Sequence, residues 1–374
     1  RSLAGTSQAD FFLTYLGCIT KQQIPTKAGL RMNVDTVEFC LDHMPHWTPI
    51  SIAGYNGADS GLNGFQELGA VMANAVEYLD AVAARGRNEV AAAAPGVAGV
   101  NFRVSMDIFE DIAKLRAARQ MWSELLERRY GITDPKAARL RIHSLTAGSQ
   151  MTYQQPLNNI ARGAIMAMAG VLGGTQSLGI SGYDEAVSIP SEHAHQVSVR
   201  VQQILQNEVN LTPVVDPLGG SYYVEALTAE VHGRAWEFFD EIVDRGGFLA
   251  SLDDGWLHAR AGENQASLLA DIETGRRNVV GVNFGEGDVG EFEIDGFQGT
   301  SDAWERGIER LHELRRTRDS RRHSSAMREL ERVCRGSENI IIPMLDVVEA
   351  GATVGEIGDV FRSVFGDWEA PIEF

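Results

Sequence analysis

Cysteine is scarce in this chain of 374 residues: there are three, Cys18, Cys40 and Cys334. They are too few and too scattered for a disulfide framework, so a reducing, cytoplasmic location is expected. Long apolar runs are missing too. The most hydrophobic region, residues 161–178, is broken by Arg162, Gly170, Gly173 and Gly174, which suits a buried helix running into a strand and not a membrane span. Residues 1–6 pass straight into polar side chains and do not read as a signal peptide. Positive charge is in deficit, with 33 Lys and Arg against 51 Asp and Glu and a formal net charge of -18. That balance excludes a nucleic-acid partner, which needs a basic surface. No Gly-x-x-x-x-Gly-Lys-Ser/Thr phosphate loop occurs. Cys40, His43 and His46 lack the fourth ligand of a metal site, and the arginines from Arg315 to Arg322 read as a solvated helix face.

What is present is a repeated strand-then-helix pattern. The central stretch is Thr48 to Asn56, an apolar run that stops at Gly54 and is followed by Tyr55 and Asn56. A buried strand presenting polar groups from its C-terminal end is how a parallel α/β barrel places reactive side chains. Residues 5–10 look like the end of a strand that leads into a helix at residues 11–17. Val100 to Ser105, Leu140 to Ser144 and Thr175 to Ile180 are further strand candidates. Between them lie helical patterns, the clearest being Leu62, Phe65, Leu68, Met72, Ala75, Val76, Leu79 and Val82 at three- and four-residue steps. Residues 90–99 are expected to be a loop or helix end. Beyond Pro190 the pattern turns mostly helical, with helices expected at 192–208, 228–245, 263–274 and 303–333, and at least one more within 347–365.

The fold class expected is therefore α/β, the C-terminal half of a (β/α)8 barrel in residues 1–190 followed by a mainly helical region in 191–374. A closed barrel of this type takes roughly 250 residues. The front staves are expected from elsewhere, either an N-terminal half of the same polypeptide or another chain.

Several segments resemble the large subunit of adenosylcobalamin-dependent acyl-CoA mutases, the family of methylmalonyl-CoA, isobutyryl-CoA and 2-hydroxyisobutyryl-CoA mutases. They include Gly5-Thr6-Ser7-Gln8, Met44-Pro45-His46-Trp47, Ile50-Ser51-Ile52-Ala53-Gly54-Tyr55 and Ala113-Lys114-Leu115-Arg116-Ala117-Ala118-Arg119. Leu140-Arg141-Ile142-His143-Ser144, Gly174-Thr175-Gln176-Ser177-Leu178, Asp184-Glu185-Ala186, Asp216-Pro217-Leu218-Gly219-Gly220-Ser221 and Ala352-Thr353-Val354-Gly355-Glu356-Ile357 follow in family order. The resemblance covers almost the whole chain and implies a radical 1,2-rearrangement of an acyl-CoA, with adenosylcobalamin supplying the difficult chemistry. It implies catalytic roles for Tyr55, Asn56 and Gln176. It places Gln8, Cys18, His143 and Ser144 around the substrate, and Glu225, with Gln176, beside the deoxyadenosyl group.

The departures from the family carry information. The histidine that follows the glycine-tyrosine pair in methylmalonyl-CoA mutases is Asn56 here, a weaker donor to a thioester carbonyl. An arginine that pairs with a substrate carboxylate aligns with Cys18, which favours a neutral acyl group because a buried carboxylate without a cation is costly. An arginine-x-serine pair aligns with Val97-Ala98-Gly99, and a histidine ahead of Thr175 is Gly174. No Asp-x-His-x-x-Gly cobalt-binding loop occurs, so the resemblance implies a separate small cobalamin-binding subunit. The alternative is a catalytically silent paralogue that scaffolds an active subunit.

Overall fold

The computed structural model describes residues 3–17, 23–86, 90–287, 294, 296–297 and 299–371. Its strands are all parallel and follow one another in sequence order. β1 (Gly5–Thr6) pairs with β2 (Trp47–Thr48), and β3 (Ser51–Ile52) pairs with β4 (Gly99–Val104), then β5 (Arg141–Thr146), then β6 (Ser177–Gly179). β2 and β3 are halves of one extended segment interrupted at Pro49, which has no N–H to give to a ladder. Ser7 bridges the interruption, its N–H donating to Thr48 O at 3.0 Å and its carbonyl accepting from Ser51 N at 3.0 Å.

The intervening helices form where the sequence gives them a stripe and an end. α1 (Thr26–His43) precedes β2, and a short α2 (Gly54–Asp59) follows β3. α3 (Gly64–Ala84) opens with a capping box between Asn63 and Gln66. α4 (Val90–Val97) leads into β4. α5 (Ile108–Tyr130) carries Glu110 and Asp111 in its first turn and Arg128 and Arg129 in its last, complementing its dipole, and stops at Gly131 with φ +66°. α6 (Asn158–Leu172) joins β5 to β6. Val100, Phe102 and Val104 of β4 and Ile142, Ser144 and Thr146 of β5 are buried. They face this helical layer, since a Cβ on Gly170 of α6 would lie 3.5 Å from Ser144 Cβ and 3.7 Å from Val104 Cγ1. Asn101, Arg103, His143 and Leu145 therefore occupy the other, inner face.

The later helices are α7 (Glu192–Asn207), α8 (Tyr222–Asp244), α9 (Phe248–Asp253), α10 (Trp256–Glu273), α11 (Ala303–Thr317), α12 (Ser320–Arg335), α13 (Ile341–Glu349) and α14 (Val354–Phe365). α8 packs across α3 and α5, and Gly69 permits the approach, because a Cβ there would be 2.6 Å from Ala235 O. A second apolar cluster joins α12, α13 and α14 around Leu330, Val333, Ile340, Val347 and Phe361. Arg31 of α1 ties it down by donating to Val333 O and Cys334 O at 2.8 and 2.6 Å.

Three expectations change. The strand leading to Tyr55 ends at Ile52, and the glycine-rich turn expected at residues 54–61 opens as the helix α2, whose first turn carries Tyr55 and Asn56. Residues 90–97 are a helix despite Pro95. Residues 303–333 divide into α11 and α12, because Asp319 leaves the helix to accept from Arg321 N and Arg322 N and start a new one.

Two buried polar clusters fix the C-terminal ends of the strands. Asp10 accepts from Phe12 N, Ala53 N, Asn74 Nδ2 and Tyr78 Oη at 3.2, 2.9, 2.7 and 2.8 Å, fastening the chain after β1 and β3 to α3. Lys114 Nζ donates to Glu67 Oε2 (2.6 Å), Asp111 Oδ1 (2.8 Å) and Arg103 O (2.5 Å). Glu67 Oε1 accepts from Arg103 N at 2.8 Å and Asp111 Oδ2 from Ser105 N at 2.6 Å. These side chains serve the β4 backbone beyond the point where β3 stops. Burial opposes the charge on Lys114, but Asp111 and Glu67 outweigh it and raise its pKa. Replacing Lys114 by Met leaves the fully buried Glu67 without its cation. The expected loss is about 3–5 kcal/mol in unfolding free energy, measured by denaturant titration.

Candidate active site at the strand ends

α2 can lie on the sheet because Gly54 has no side chain: a Cβ there would be 2.6 Å from Val71 Cγ2 and 3.3 Å from Asn101 O. This puts Tyr55, half-buried, over the C-terminal end of β4. Its hydroxyl donates to Asp59 Oδ2 at 3.0 Å and accepts from Gly148 N at 3.3 Å. Asp59 also accepts from Ser149 N (3.2 Å) at Oδ2 and from Ser149 Oγ (2.6 Å) at Oδ1. The loop after β5, a single turn over Gly148–Gln150, is thereby pinned to α2. Arg103, on the inner face of β4, donates to Ala58 O at 2.5 Å and Leu62 O at 3.4 Å and comes within 4.0 Å of Asp59. Burial first, and Asp59 second, raise the Tyr55 pKa, so the phenol is neutral. Glu185 is pushed up from the ordinary carboxylate value by burial, with Asp184 and Asp59 adding to it.

Asn56 is partly buried and faces the end of a π-helical turn at Phe12–Gly17, where a Cβ on Gly17 would come within 2.7 Å of Asn56 Cβ. Cys18 lies outside the described residues. Gln8 is exposed, just beyond β1 and two residues before Asp10. His143 lies on the inner face of β5 with Nδ1 2.7 Å from Ser177 Oγ, and burial lowers its pKa. Ser144 does not join it. Its side chain points to the opposite face of β5, fully buried against α6, with Oγ unpartnered among the described residues.

Gln176 and Glu225 stand elsewhere. Gln176 precedes β6 and bonds Ile142 N through Oε1 at 2.5 Å and Gly174 O through Nε2 at 3.0 Å, which secures the N-terminal ends of β5 and β6. The six residues of β5 separate that end from Tyr55's by about 20 Å. Glu225 accepts from Arg116 NH2 at 2.7 Å and from Gly220 N at 2.8 Å. Gln176 and Glu225 line one cavity of 440 Å³ with Arg116, Arg119 and Asp216. The expected site residues thus fall into a cluster at the strand ends and a second group in this cavity.

Sequence reasoning missed Asp59, Arg103 and Ser149. The signal for Asp59 was its position four residues after Tyr55, one helical turn on, but it became readable only once α2 was known to be a helix. Arg103 stood in an alternating strand as the odd inner residue. Among the described residues no group of three or more His, Cys, Asp or Glu side chains is placed to hold a metal, so Cys40, His43 and His46 do not form one. Likewise no described helix is long and apolar enough to cross a membrane.

Comparison with known proteins finds the methylmalonyl-CoA mutase family model matching residues 1–367. The 2-hydroxyisobutanoyl-CoA mutase large subunit of Aquincola tertiaricarbonis is 34% identical over 377 residues, covering 99% of this chain and 66% of that protein. The methylmalonyl-CoA mutase of Escherichia coli (strain K12) is 33% identical over 99% of this chain and 51% of its own length. The methylmalonyl-CoA mutase large subunit of Streptomyces virginiae is 36% identical over 97% and 50% respectively. The chain spans about half to two thirds of the length of these relatives.

The lowered pKa of His143 makes a prediction about pH. Its imidazole is neutral at pH 7, and its NMR titration should fall below the ordinary histidine value near 6.5. As pH drops below about 6.5 the unfolded chain takes up this proton more readily than the folded one, so stability is lost. A His143→Asn variant should lose that component of the acid-side decline in denaturant midpoint.

Proposed function

Because the chain belongs to the methylmalonyl-CoA mutase family, we propose that it is the substrate-binding portion of a cobalamin-dependent acyl-CoA mutase large subunit, catalysing a radical 1,2-rearrangement. The observation that carries this reading is the polar cluster of Tyr55, Asp59, Arg103 and Ser149 at the C-terminal ends of parallel strands, where barrel enzymes place their chemistry. The outer edges of β1 and β6 have no strand partner among the described residues. Such edges call for cover. In our reading, further staves from the same polypeptide or a partner close a (β/α)8 barrel, with the boundary to the helical region at residue 190.

In that barrel Tyr55 and Asn56 would face the reacting acyl group, Gln8 and Cys18 would flank it, and His143 would line the inner wall as a neutral imidazole. Ser144 would act only through packing behind His143. Arg103 donates to Ala58 O and Leu62 O and stands 4.0 Å from Asp59, so its guanidinium is engaged at the end of α2, which supports a neutral acyl thioester over one with a second carboxylate. The chain's own contribution is to bind and orient the thioester and to keep water from it. Cobalamin, in its adenosyl form and carried by a separate small subunit, would supply the radical. The fit to that group is incomplete: Glu225 holds Arg116 and Gly220 N in a cavity it shares with Gln176, apart from Tyr55. Gln176 is likewise engaged by backbone. No step is assigned through either.

The test is an anaerobic spectroscopic titration of the complete native assembly with adenosylcobalamin, followed by neutral and carboxylated acyl-CoAs. The expected result is a cob(II)alamin signal that depends on a neutral acyl-CoA, with Tyr55→Phe lowering turnover about 10- to 100-fold. Asn56→His should change turnover or the substrate accepted. Failure to bind cofactor, with no isomerisation of any thioester, would favour a scaffolding subunit.

A further inference from the structure

Tyr55 has a single proton to give, and the structure shows where it goes. The acceptor is Asp59 Oδ2, one helical turn along α2, at 3.0 Å. The phenol oxygen is also met by Gly148 N at 3.3 Å. Asp59 is itself held by Ser149 N and Ser149 Oγ from the loop after β5, and the Arg103 guanidinium of β4 stands 4.0 Å from it. Arg103 is in turn fixed through its backbone by Glu67 and Lys114. A chain of contacts thus runs from the buried ion cluster to the tyrosine ring, and Asp59 is the link that touches Tyr55.

We propose that Asp59 is the positioning residue of this site. It holds Tyr55 in one rotamer above the strand ends and commits the phenol proton, so that Tyr55 meets a bound acyl thioester as a ring and a hydrogen-bond acceptor. Donation to the thioester carbonyl then falls to the neighbouring Asn56 amide. This deepens the mutase reading and rests on it for the identity of the ligand, while the Tyr55–Asp59 relation stands on the geometry. The strong rise in the Tyr55 pKa, caused by burial first and by Asp59 next, agrees with a proton held in place.

The experiment has two arms, both on the complete assembly. In the first, 3-fluorotyrosine is placed at position 55 and its fluorine resonance is followed against pH, with and without Asp59→Asn. The carboxylate disfavours the phenolate, so Asp59→Asn should lower the apparent midpoint, making deprotonation at least about tenfold easier. In the second, kcat and KM for the acyl thioester that turns over are measured for Tyr55→Phe, Asp59→Asn and the double variant. The expected pattern is a kcat loss of about 10- to 100-fold in each single variant, KM within about threefold, and a double variant no worse than Tyr55→Phe. An unchanged fluorine midpoint in Asp59→Asn, or kcat losses that multiply in the double variant, would overturn the proposal. Should the wild-type assembly turn over no thioester, the mutase reading fails and the fluorine arm still decides the positioning role. Asp59→Asn preserves shape, and a Ser149→Ala variant, which removes one tether of Asp59, checks the same link by a kcat loss smaller than that of Asp59→Asn.

Discussion

Lys114 is a charged side chain with almost no contact with water, and the C-terminal end of the sheet depends on it. β3 stops after two residues, which leaves the far half of β4 without a strand on that side. Glu67 from α3 and Lys114 from α5 take the strand's place, one accepting from Arg103 N and the other donating to Arg103 O, while Asp111 collects Ser105. Charged groups are costly to bury unless paired and hydrogen-bonded, and here each has several partners. The outcome is that α3, β4 and α5 are locked in one relative position, with Arg103 aimed to a fixed place on the inner face.

Part of the candidate site is built on that placement. Arg103 steadies the end of α2 through Ala58 O and Leu62 O and stands beside Asp59. Asp59 carries Tyr55 on one side and the loop after β5 on the other. Asp10 does the corresponding work for the chain after β1, binding Ala53 just before α2 begins. The opposite end of the sheet is organised by different means, with Gln176 and Arg119 satisfying backbone groups where α6 ends and β6 begins. One end of the fold is therefore built from charges that are buried and paired, and the other from amide and guanidinium caps.

The strand-helix alternation was legible because apolar periodicity records which face of an element is buried, and the parallel order follows from it. The boundaries were less legible. α2 was hidden because Gly54, Tyr55, Asn56 and Gly57 have weak intrinsic preference for helix, and only the packing of Gly54 against Val71 and Asn101 decides that the chain coils there. The break between α11 and α12 turned on Asp319 accepting two backbone N–H groups, a local competition that periodicity does not register. Of the expected site residues, Tyr55, Asn56 and His143 lie at or near the strand ends or on the inner face, whereas Ser144 differs from His143 by one position and so faces the other way.

The sequence by itself determined the family, the α/β class and the positions of the strands, because motifs and hydrophobic period are local properties of the chain. Tertiary structure alone decided that Gln176 and Glu225 occupy a cavity apart from Tyr55, and that Asp59, Arg103 and Ser149 meet around it. Residues 59, 103 and 149 are far apart in sequence, and no local pattern couples them. They come together only because parallel strands in register carry their C-terminal ends to one side, where a helix, a strand and a loop each contribute one partner.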